Sequence, residues 1–538
     1  MSKRVITNIV GSTTKSDLAK LGLGFTLNMF EETTNANENY VQKVLRPIKG
    51  YKKVCDISGK CRGIFTCSNG YNGKPVTYAV FDNTLYVILS GNRIPYKIGD
   101  IAPGSMPVHF AETGNREGFH AHLVLVDGDF CYAVDTQIKP ANQKEDFKTI
   151  QLPYTNYDEG ITIHPTHIAY LYGFLVVNDK NTDSFYMSYQ FPFERNDDNN
   201  NLDINIFQVG SAEWGYAGQS LQAYWAPDNT NALIANGSRL YTFGDRSYQM
   251  FQYTSDVNAP FNSPDTAAYP IGLKAIDSLA QLGATVVWLG SSDIGNNGIY
   301  VLQGGTQATR VSTPEIEREI SKFKVVKDAT AQIWQDNQHV FYCISFPSEN
   351  VTYCYDLTEQ SWSNRCSLNA SNEKVVWRYN YATMNENGEI WQSYDGGIAM
   401  QTEEKWDEHD NKPILRLRRG GVMQSDYSTF FVNSIELMTN NGQYENLFGG
   451  AAYLDYHDDN RYSTVDPTEA KMMMRFSTDG STWSDLETVD IGSVGDYDYD
   501  TIFYNFGMAK VFTIEFSCSD NIPFALYAIK IDADQCSF

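Results

Sequence analysis

Two pairs of histidines have the residue types and spacing that come closest to a metal site. His120 and His122 are two residues apart and would share one face of a strand, and His164 and His167 bracket a proline-containing turn. Two imidazoles can begin a zinc site, but no cysteine or carboxylate stands beside them at a recognised ligand spacing. The sequence therefore assigns no metal ligand, and ordinary core or surface histidines are the favoured interpretation.

The segment RNDDNNNLD at residues 195–203 has the composition of a calcium-binding loop. Such a loop follows the order D-x-[DN]-x-[DN]-G, whereas here Leu202 takes a ligand position and no glycine follows to make the sharp turn. We expect a solvated loop at this position.

Catalytic motifs are absent from the sequence: there is no G-x-S-x-G, no H-E-x-x-H and no G-x-x-x-x-G-K-[ST]. The segment STDGSTW at 477–483 is one residue short of the Asp-box turn of sialidase-type propellers. An Asp-box is a structural turn, and a glycosidase needs two facing carboxylates, which the sequence does not nominate. We predict no enzyme activity, no catalytic residue, no cofactor and no metal; a carbohydrate-binding or sialidase-like propeller is the alternative.

Three carboxylates near the carboxy terminus alternate with tyrosines. In an extended chain, Asp496, Asp498 and Asp500 would lie on one side of the strand, and Tyr497 and Tyr499 on the other. Such a negative surface could line a channel through which DNA slides without binding. An exposed loop is the plainer alternative.

Basic residues are concentrated at the amino terminus of an acidic chain. The formal net charge is −24, while residues 1–62 carry 11 Lys and Arg against 5 Asp and Glu, a net of +6 that leaves −30 for the remainder. The remainder should repel nucleic acid phosphates or simply keep a large protein soluble, and the basic segment could dock on an acidic neighbour. The candidate partner-contact residues are Lys43, Arg46, Lys49, Arg416, Arg418 and Arg419.

The elements that must position these residues are short strands. Hydrophobic residues make up 42% of the chain and aromatic residues 14%, which favours pleated, half-buried sheets. Pairs of apolar-aromatic strands recur around turns every 40 to 60 residues, near Asn83, Asp127, Asn178, Asn236, Asn297 and Glu349. This spacing predicts an all-β fold containing a β-propeller of five or six irregular blades, with an irregular sandwich array as the alternative.

The stretch 285–323 predicts a hairpin followed by a helix, within a chain that has very few short helices. The Asn297-Gly298 pair suits the hairpin turn, Thr313 can cap the helix, and Pro314 fits its first position. An apolar stripe would then pack the helix on the sheets, formed by Ile316, Ile320 and Phe323.

The chain divides into three predicted parts. Residues 1–50 form an amino-terminal arm packed on the carboxy-terminal domain, residues 51–410 the β-propeller, and residues 411–538 a β-sandwich of long alternating strands. The polar segment near 440–470 should protrude from this sandwich as a loop.

Nine cysteines without a C-x-x-C pair indicate a reduced protein made in the cytoplasm. The first residues lack the apolar core of a signal peptide, and no run approaches the roughly 18 apolar residues of a membrane span. We therefore expect no membrane insertion.

Several segments, in order along the chain, resemble the packaged-DNA stabilisation and tail-hub (nozzle) proteins of short-tailed bacteriophages. The resemblance is carried by SRLYTFGDRSYQMFQYTSDVNAPF, by VVWLG with GIYVLQGG and ATRVSTPEIEREI, by MMMRFSTDGSTWSD and by FGMAKVFTIEFSCSDNIPFALYAIKIDA. It implies a non-enzymatic virion subunit of the tail that forms a homohexameric ring below the portal and adaptor, helps to retain packaged DNA and carries fibres or spikes. A propeller scaffold made by the host for protein partners is a further alternative.

Overall fold

A computed structural model describes most of the chain. The described residues are all except 1–2, 8, 15–23, 38–39, 117–118, 151, 153–162, 192–194, 197–200, 203–205, 208–219, 224, 227, 257–259, 265–266, 293–296, 421–422, 425–428, 440–469, 493–498 and 536–538. Among the described residues, no helix is both long and apolar enough to cross a membrane.

Strands dominate the structure, which confirms the all-β class. The first strands in chain order are β1 (Lys3–Thr7), β2 (Phe25–Leu27), β3 (Met29–Asn37), β4 (Tyr40–Pro47), β5 (Gly50–Asp56), β6 (Cys61–Cys67), β7 (Val76–Phe81), β8 (Thr84–Ile88), β9 (Pro95–Asp100), β10 (His109–Glu112), β11 (His122–Val126), β12 (Cys131–Asp135), β13 (Lys148–Ile150), β14 (Ile168–Leu171), β15 (Phe174–Asn178) and β16 (Ser184–Met187). They are followed by β17 (Arg195–Asn196), β18 (Asn201–Leu202), β19 (Ser220–Gln222), β20 (Ala232–Asn236), β21 (Arg239–Phe243), β22 (Tyr248–Tyr253), β23 (Phe261–Asn262), β24 (Ala268–Tyr269), β25 (Ile271–Leu273), β26 (Ala280–Leu282), β27 (Thr285–Ser292), β28 (Asn297–Gln303), β29 (Thr309–Arg310) and β30 (Thr330–Asp336).

The remaining strands are β31 (His339–Phe346), β32 (Val351–Asp356), β33 (Ser361–Arg365), β34 (Ser367–Leu368), β35 (Lys374–Val375), β36 (Ala382–Met384), β37 (Ile390–Tyr394), β38 (Gly397–Thr402), β39 (Arg416–Arg419), β40 (Met423–Gln424), β41 (Phe430–Thr439), β42 (Lys471–Ser477), β43 (Glu487–Asp490), β44 (Thr501–Ala509), β45 (Val511–Cys518) and β46 (Leu526–Gln535). In the described part of the chain, the α-helix is α1 (Pro314–Ser321), and short 3-10 helices occupy Tyr71–Gly73, Pro140–Glu145, Ile276–Ser278 and Pro347–Glu349.

The chain divides into two compact units. The first unit consists of residues 1–53, 335–378 and 400–538, and the second of residues 54–334 and 379–399. Residues 335–378 thus group with the two ends of the chain, whereas the sequence placed them inside a continuous propeller. The reason is backbone pairing between strands that are distant in sequence, since β33 pairs in parallel with β2.

Two sheets enclose the core of the first unit. One has the order β3-β4-β46-β41-β44, with β1 also paired to β46; in the other, the strands of this unit run β31-β32-β33-β2-β39-β45-β42-β43, with β40 on β45. Apolar side chains from both sheets meet between them, among them Ile435 and Phe503 from the first and Met474 and Phe516 from the second. The amino-terminal strands are therefore integral to these sheets. The protruding loop predicted near 440–470 lies, apart from Ala470, outside the described residues.

Asn28 fixes the corner between β2 and β3 in this unit. Its backbone takes a left-handed conformation with a φ of 52°, which asparagine tolerates better than most residues. Its buried side chain donates to the carbonyl oxygens of Cys366 (3.0 Å) and Leu415 (2.9 Å) and accepts from the Cys366 amide (3.0 Å). One amide group thereby joins three segments that lie far apart in the sequence.

Besides the short pair β17-β18, the described part of the second unit contains six sheets of four or five strands, most of which follow one another along the chain. They are β6-β7-β8-β9, β10-β11-β12-β13, β14-β15-β16-β19, β20-β21-β22-β23 with β24, β25-β27-β28-β29 with β26, and β36-β37-β38-β5. The strands β31–β33 form a further meander in the first unit. These sheets match the predicted propeller class.

Four core clusters among the described residues of the second unit each take residues from two consecutive sheets, as blades that bury their faces against their neighbours require. Leu85 of β8 packs in one cluster with Leu123 of β11, and Phe185 of β16 packs in another with Phe251 of β22. The last sheet also contacts the first, because the Thr383 hydroxyl lies 2.9 Å from that of Thr66.

The hairpin and helix predicted in 285–323 are present, with two corrections. Thr313 accepts a hydrogen bond from the Ile316 amide (3.4 Å), and Ile316 and Ile320 are buried, while Phe323 lies beyond the end of α1. Asn297 and Gly298 do not form the turn. They pair with Ser291 and Gly290 inside the β27–β28 ladder, because the register that pairs Leu289 with Ile299 continues through them.

Cysteine pairing also differs from the expectation of a fully reduced chain. Cys343 and Cys354 are register partners on β31 and β32 and form a disulfide. The free cysteines of the described part of the chain are all buried, namely Cys55, Cys61, Cys67, Cys131, Cys366 and Cys518.

Candidate partner-contact and channel residues

Two of the predicted contact residues, Lys43 and Arg46, lie on β4 and are paired to acidic residues of the adjacent strand β3. Lys43 Nζ is 3.0 Å from Glu31 Oε2, and Arg46 forms an ion pair with Glu32. Glu31 is buried, whereas the Lys43 side chain is 44% exposed. The positive charge of β4 is therefore largely compensated within the hairpin.

Lys49 occupies a more enclosed position between two carboxylates. Its Nζ lies 2.7 Å from Asp336 Oδ1 and 2.9 Å from Glu403 Oε1. Burial alone would lower the pKa of Lys49, but the charges and hydrogen bonds of Asp336 and Glu403 outweigh it and raise the pKa above its ordinary value. This lysine is a charged internal link of the first unit.

Arg416 and Arg418 lie inside the first unit, where their guanidinium groups donate to backbone oxygens. Arg416 is 0% exposed and donates to the carbonyl oxygens of Asp520 (2.8 Å) and Trp406. Arg418 is 5% exposed and donates to the carbonyl oxygens of Ile9 and Gly11, each at 2.7 Å. Burial lowers the pKa of both arginines, that of Arg418 to about 10. These two side chains connect strands rather than present charge on a surface.

Arg419 belongs to a cluster of charged and aromatic side chains. Glu515, which is buried, accepts from Arg419 (2.6 and 2.9 Å) through one oxygen and from Arg475 (2.6 Å) through the other. Trp483 stacks against both guanidinium groups, at 4.7 Å from Arg419 and 5.0 Å from Arg475. The result is an Arg-Glu-Arg cluster covered by an indole ring.

Three members of this cluster, Arg475, Glu515 and Trp483, were not predicted from the sequence. Both arginines are register partners of Glu515, because β39 and β42 flank β45 on either side. The signal available in the sequence was the single carboxylate in the apolar run VFTIEFSC, since a charge buried in such a strand requires a partner.

The STDGSTW segment forms a self-contained turn. Asp479 accepts from the amides of Ser481 and Thr482, both at 2.7 Å, and from the Thr482 hydroxyl at 2.9 Å. These hydrogen bonds hold the pKa of Asp479 well below its usual range. The carboxylate is occupied by its own turn, in agreement with a structural Asp-box-like element.

The three candidate channel carboxylates are only partly within the described structure. Asp500 is exposed just before β44, next to the partly exposed ring of Tyr499. Asp496 and Asp498 lie outside the described residues. The channel assignment stays a prediction. For the 195–203 segment, the structure gives two residue pairs between β17 and β18.

Two of the predicted histidines, His120 and His164, lie next to aspartates that were not predicted as their partners. His120 Nδ1 lies 2.6 Å from Asp135 Oδ2, and His164 Nδ1 lies 2.9 Å from Asp129 Oδ1. His122, Asp135 and Asp146 form a buried group whose possible ligand atoms all lie within 4.8 Å of one another. Asp135 is the register partner of His122 on the adjacent strand, and Asp146 lies in the connection before β13, so tertiary pairing rather than a recognised ligand spacing brings the two carboxylates to His122.

His167 packs against His109 instead of joining a ligand set with His164. The two rings stack with centroids 3.7 Å apart and planes inclined by 25°. Burial lowers the pKa of His109 to about 4, and burial together with the neighbouring His109 lowers the pKa of His167 well below its ordinary value. Both rings are accordingly neutral near pH 7.

The phage stabilisation family, described as Bacteriophage P22 Gp10, beta-propeller, matches residues 23–395 of this chain. The matched range includes the first five of the six sheets described for the second unit, the strands β5, β36 and β37 of the sixth, and β31–β33. No curated protein sequence matches the chain.

Solved structures with distant similarity include two that each cover about two thirds of the chain. BBS1N in complex with ARL6DN, soaked with lead, is 11% identical, with 66% of this chain and 98% of that chain covered and a TM-score of 0.38. A chain of the Mitotic Checkpoint Complex is 12% identical, with coverages of 63% and 92% and a TM-score of 0.34. Neither similarity carries information about the function of this chain.

Proposed function

Because this chain belongs to the phage stabilisation family of β-propellers, and is thus a phage structural protein, we propose that it forms a ring in the virion tail. The ring continues the channel of the portal and its adaptor, helps to retain packaged DNA and anchors tail fibres or spikes. The observation that carries the proposal is the family match over residues 23–395, which spans well over half of the chain.

The charge of the chain supports a role beside moving DNA. At −24 per chain, a ring of six copies carries −144, and such a wall repels phosphates instead of trapping them. Three basic residues of the amino-terminal segment, Lys43, Arg46 and Lys49, are each ion-paired within the chain, which reduces their attraction for phosphates. DNA would pass without sequence-specific contacts.

The internal architecture of the first unit supports a mechanical role. Arg418 and Asn28 bind backbone groups of segments that lie hundreds of residues apart, which resists separation of those segments under load. We propose that the protein acts through this geometry and has no catalytic activity. Its partners in this proposal are further copies of itself, the portal adaptor, and a fibre or spike protein.

The mass and shape of the purified full-length chain test the ring. Mass photometry is expected to find a species of six times 60.7 kDa, alone or after addition of the adaptor, and negative-stain images should show closed rings. Monomers under both conditions, at concentrations up to the micromolar range, would contradict the proposal. A parallel measurement of DNA binding in low salt should show no retention.

The same protein preparation tests the alternative function, a carbohydrate-binding or sialidase-like propeller. The Asp479 turn satisfies its carboxylate internally, so it offers no reason to expect sugar binding. A glycan panel read by thermal shift should leave the melting temperature unchanged. A saturable increase with one glycan would favour the alternative.

A further inference from the structure

We propose that His122, Asp135 and Asp146 bind a divalent first-row metal ion of the zinc class. The ion would link segments of one sheet in the second unit. His122 begins β11, Asp135 ends β12, and Asp146 follows the 3-10 helix Pro140–Glu145. All three side chains belong to buried residues. The inference concerns a site inside the sheet β10–β13 and does not rest on the proposed ring.

The spacing of the donor atoms suits an ion at their centre. The possible ligand atoms lie within 4.8 Å of one another. In the widest triangle that this allows, the centre is about 2.8 Å from each atom, whereas zinc bonds to imidazole nitrogen and carboxylate oxygen are roughly 2.0–2.2 Å. A movement of less than about 1 Å by each side chain therefore brings the ligand atoms to bonding distance from the ion. Small changes in side-chain torsion angles are enough for such a movement.

The imidazole is oriented for coordination by a group outside the triad. His122 Nδ1 lies 3.1 Å from the carbonyl oxygen of His120, which can only accept a hydrogen bond. In a neutral ring the proton then resides on Nδ1, and the lone pair on Nε2. A backbone carbonyl behind a ligating histidine is the usual outer contact of such residues, because it fixes both tautomer and ring orientation.

The carboxylates are oriented in the same way. Asp146 Oδ2 accepts from the Asp135 amide at 2.8 Å, Asp135 Oδ1 accepts from the Gln137 amide at 2.8 Å, and Asp135 Oδ2 faces His120 Nδ1 at 2.6 Å. Asp146 thus has one outer contact and Asp135 has two, one on each carboxylate oxygen. These contacts set the direction of both side chains, and a carboxylate oxygen that accepts one hydrogen bond keeps a further lone pair for a metal.

Charge and ligand chemistry identify the class of ion. Two buried carboxylates in one cluster repel each other, and a dication between them converts this repulsion into attraction. One imidazole with two carboxylates is a donor set typical of zinc and neighbouring first-row ions, whereas calcium and magnesium prefer oxygen ligands alone. With three protein ligands, water would complete a tetrahedral site.

The bound ion would join three segments of one sheet. His122 and Asp135 are register partners in the β11–β12 ladder, and Asp146 lies two residues before β13. Coordination therefore fixes the connection between β12 and β13, which contains the 3-10 helix. We expect the ion to raise the stability of the second unit.

Metal content of the full-length protein tests the site directly. The chain is stripped with a chelator, dialysed against excess ZnCl2, passed through a desalting column and analysed by inductively coupled plasma mass spectrometry. One zinc per chain is expected for the wild type. H122Q and D146N should lose this zinc, while H164Q should retain it, because His164 has an aspartate neighbour but lies outside the triad.

A change at His120, outside the three ligands, distinguishes metal coordination from a cluster held together by hydrogen bonds alone. His120 orients Asp135 without being one of the three ligands, so H120Q should weaken zinc binding roughly 10–100-fold without abolishing it. Substitution with Co²⁺ should give the visible absorption bands of a four-coordinate ion in the wild type, and not in H122Q.

Two results would overturn the proposal. One is a wild-type protein that holds no zinc above the level of a protein-free control, with no zinc-dependent rise in melting temperature; imidazole-carboxylate hydrogen bonding then accounts for the cluster. The other is zinc binding by H122Q and D146N with wild-type stoichiometry and affinity, which would place the ion elsewhere. Should both variants fail to fold, the wild-type zinc ratio and cobalt spectrum still decide.

Discussion

Arg418 Nε donates to the carbonyl oxygen of Ile9 across 2.7 Å, although 409 positions separate the two residues. The same guanidinium donates to the carbonyl oxygen of Gly11 and to the hydroxyl of Thr26 at 2.8 Å. A single buried cation therefore holds the amino-terminal segment within the carboxy-terminal sheets of the first unit.

Replacing this arginine should loosen the amino-terminal segment. R418M removes the arginine donors from the carbonyl oxygens of Ile9 and Gly11, which we expect to cost about 2–4 kcal/mol in the free energy of unfolding. Urea denaturation measures the loss, and limited proteolysis should show earlier cleavage near residues 9–26. K43M is the matched control, because Lys43 belongs to a partly exposed ion pair and its loss should cost under about 1 kcal/mol. Equal stability of R418M and wild type would contradict the assigned role.

Glu515 should be more important to stability than an ordinary surface carboxylate. In E515Q the guanidinium groups of Arg419 and Arg475 keep their charges but lose the carboxylate between them, so we expect destabilisation of about 2–4 kcal/mol. Added salt should recover part of this loss by screening the two cations.

The control for this change is E436Q, since Glu436 and Lys530 form a partly exposed pair at the surface of a sheet. Chemical denaturation at low and high salt compares the two variants. If E436Q is as damaging as E515Q, the cluster has no special role.

Because of Asp277, we expect the free energy of unfolding to decline as the pH rises. Its Oδ2 accepts from the hydroxyl of Tyr381 at 2.8 Å, and burial raises its pKa to about 7, only partly offset by that hydrogen bond and by Lys60. Between about pH 4 and 7 the folded chain holds a proton that the unfolded chain has lost, so the free energy of unfolding should fall across this range, on the order of 3–4 kcal/mol in all.

D277N removes this titration while keeping an oxygen for Tyr381 to donate to. Denaturation curves at pH 5 and pH 8 should therefore differ less for D277N than for the wild type, with D277N the more stable at pH 8. D485N, at an exposed aspartate, should leave the wild-type slope unchanged. Parallel pH profiles for D277N and wild type would refute the prediction.

Because of the stacked pair His109 and His167, we expect the folded chain to lose stability in acid. The Nε2 atoms of both rings are buried and have no hydrogen-bond partner among the described residues, so a proton on either would be costly. Because the pKa of His109 is lowered to about 4, the unfolded chain binds a proton first as the pH falls from about 6.5. The stability due to the neutral ring is full above about pH 6.5 and is lost toward about pH 4.

The double variant H109Q/H167Q should show a shallower decline in melting temperature between pH 6.5 and pH 4.5 than the wild type. H164Q is the control, since His164 is exposed and paired with Asp129. The direction is opposite to that of Asp277, so the two effects can be told apart in the same pH series. A decline of wild-type steepness in the double variant would exclude the histidines as its origin.

Several features were determined by the sequence itself because they depend on neighbouring residues. The start of α1 follows from Thr313 and Pro314, whose side chain and ring act on the next few amides. The turn after Asn236 follows from Gly237, which takes a φ of 60°. The ordered motifs along the chain also sufficed to indicate the phage family that residues 23–395 match.

Tertiary structure alone decided which distant residues became partners. Asp135 and Asp146 reach His122, and Ile9 reaches Arg418, through strand register and sheet order that no local spacing encodes. Arg416 and Arg418 had the sequence of a basic surface strand, yet β39 lies between β2 and β45 and is buried. Local propensities act over a few residues, whereas burial and charge pairing depend on which strands become neighbours, and that choice is made by the packing of the whole unit.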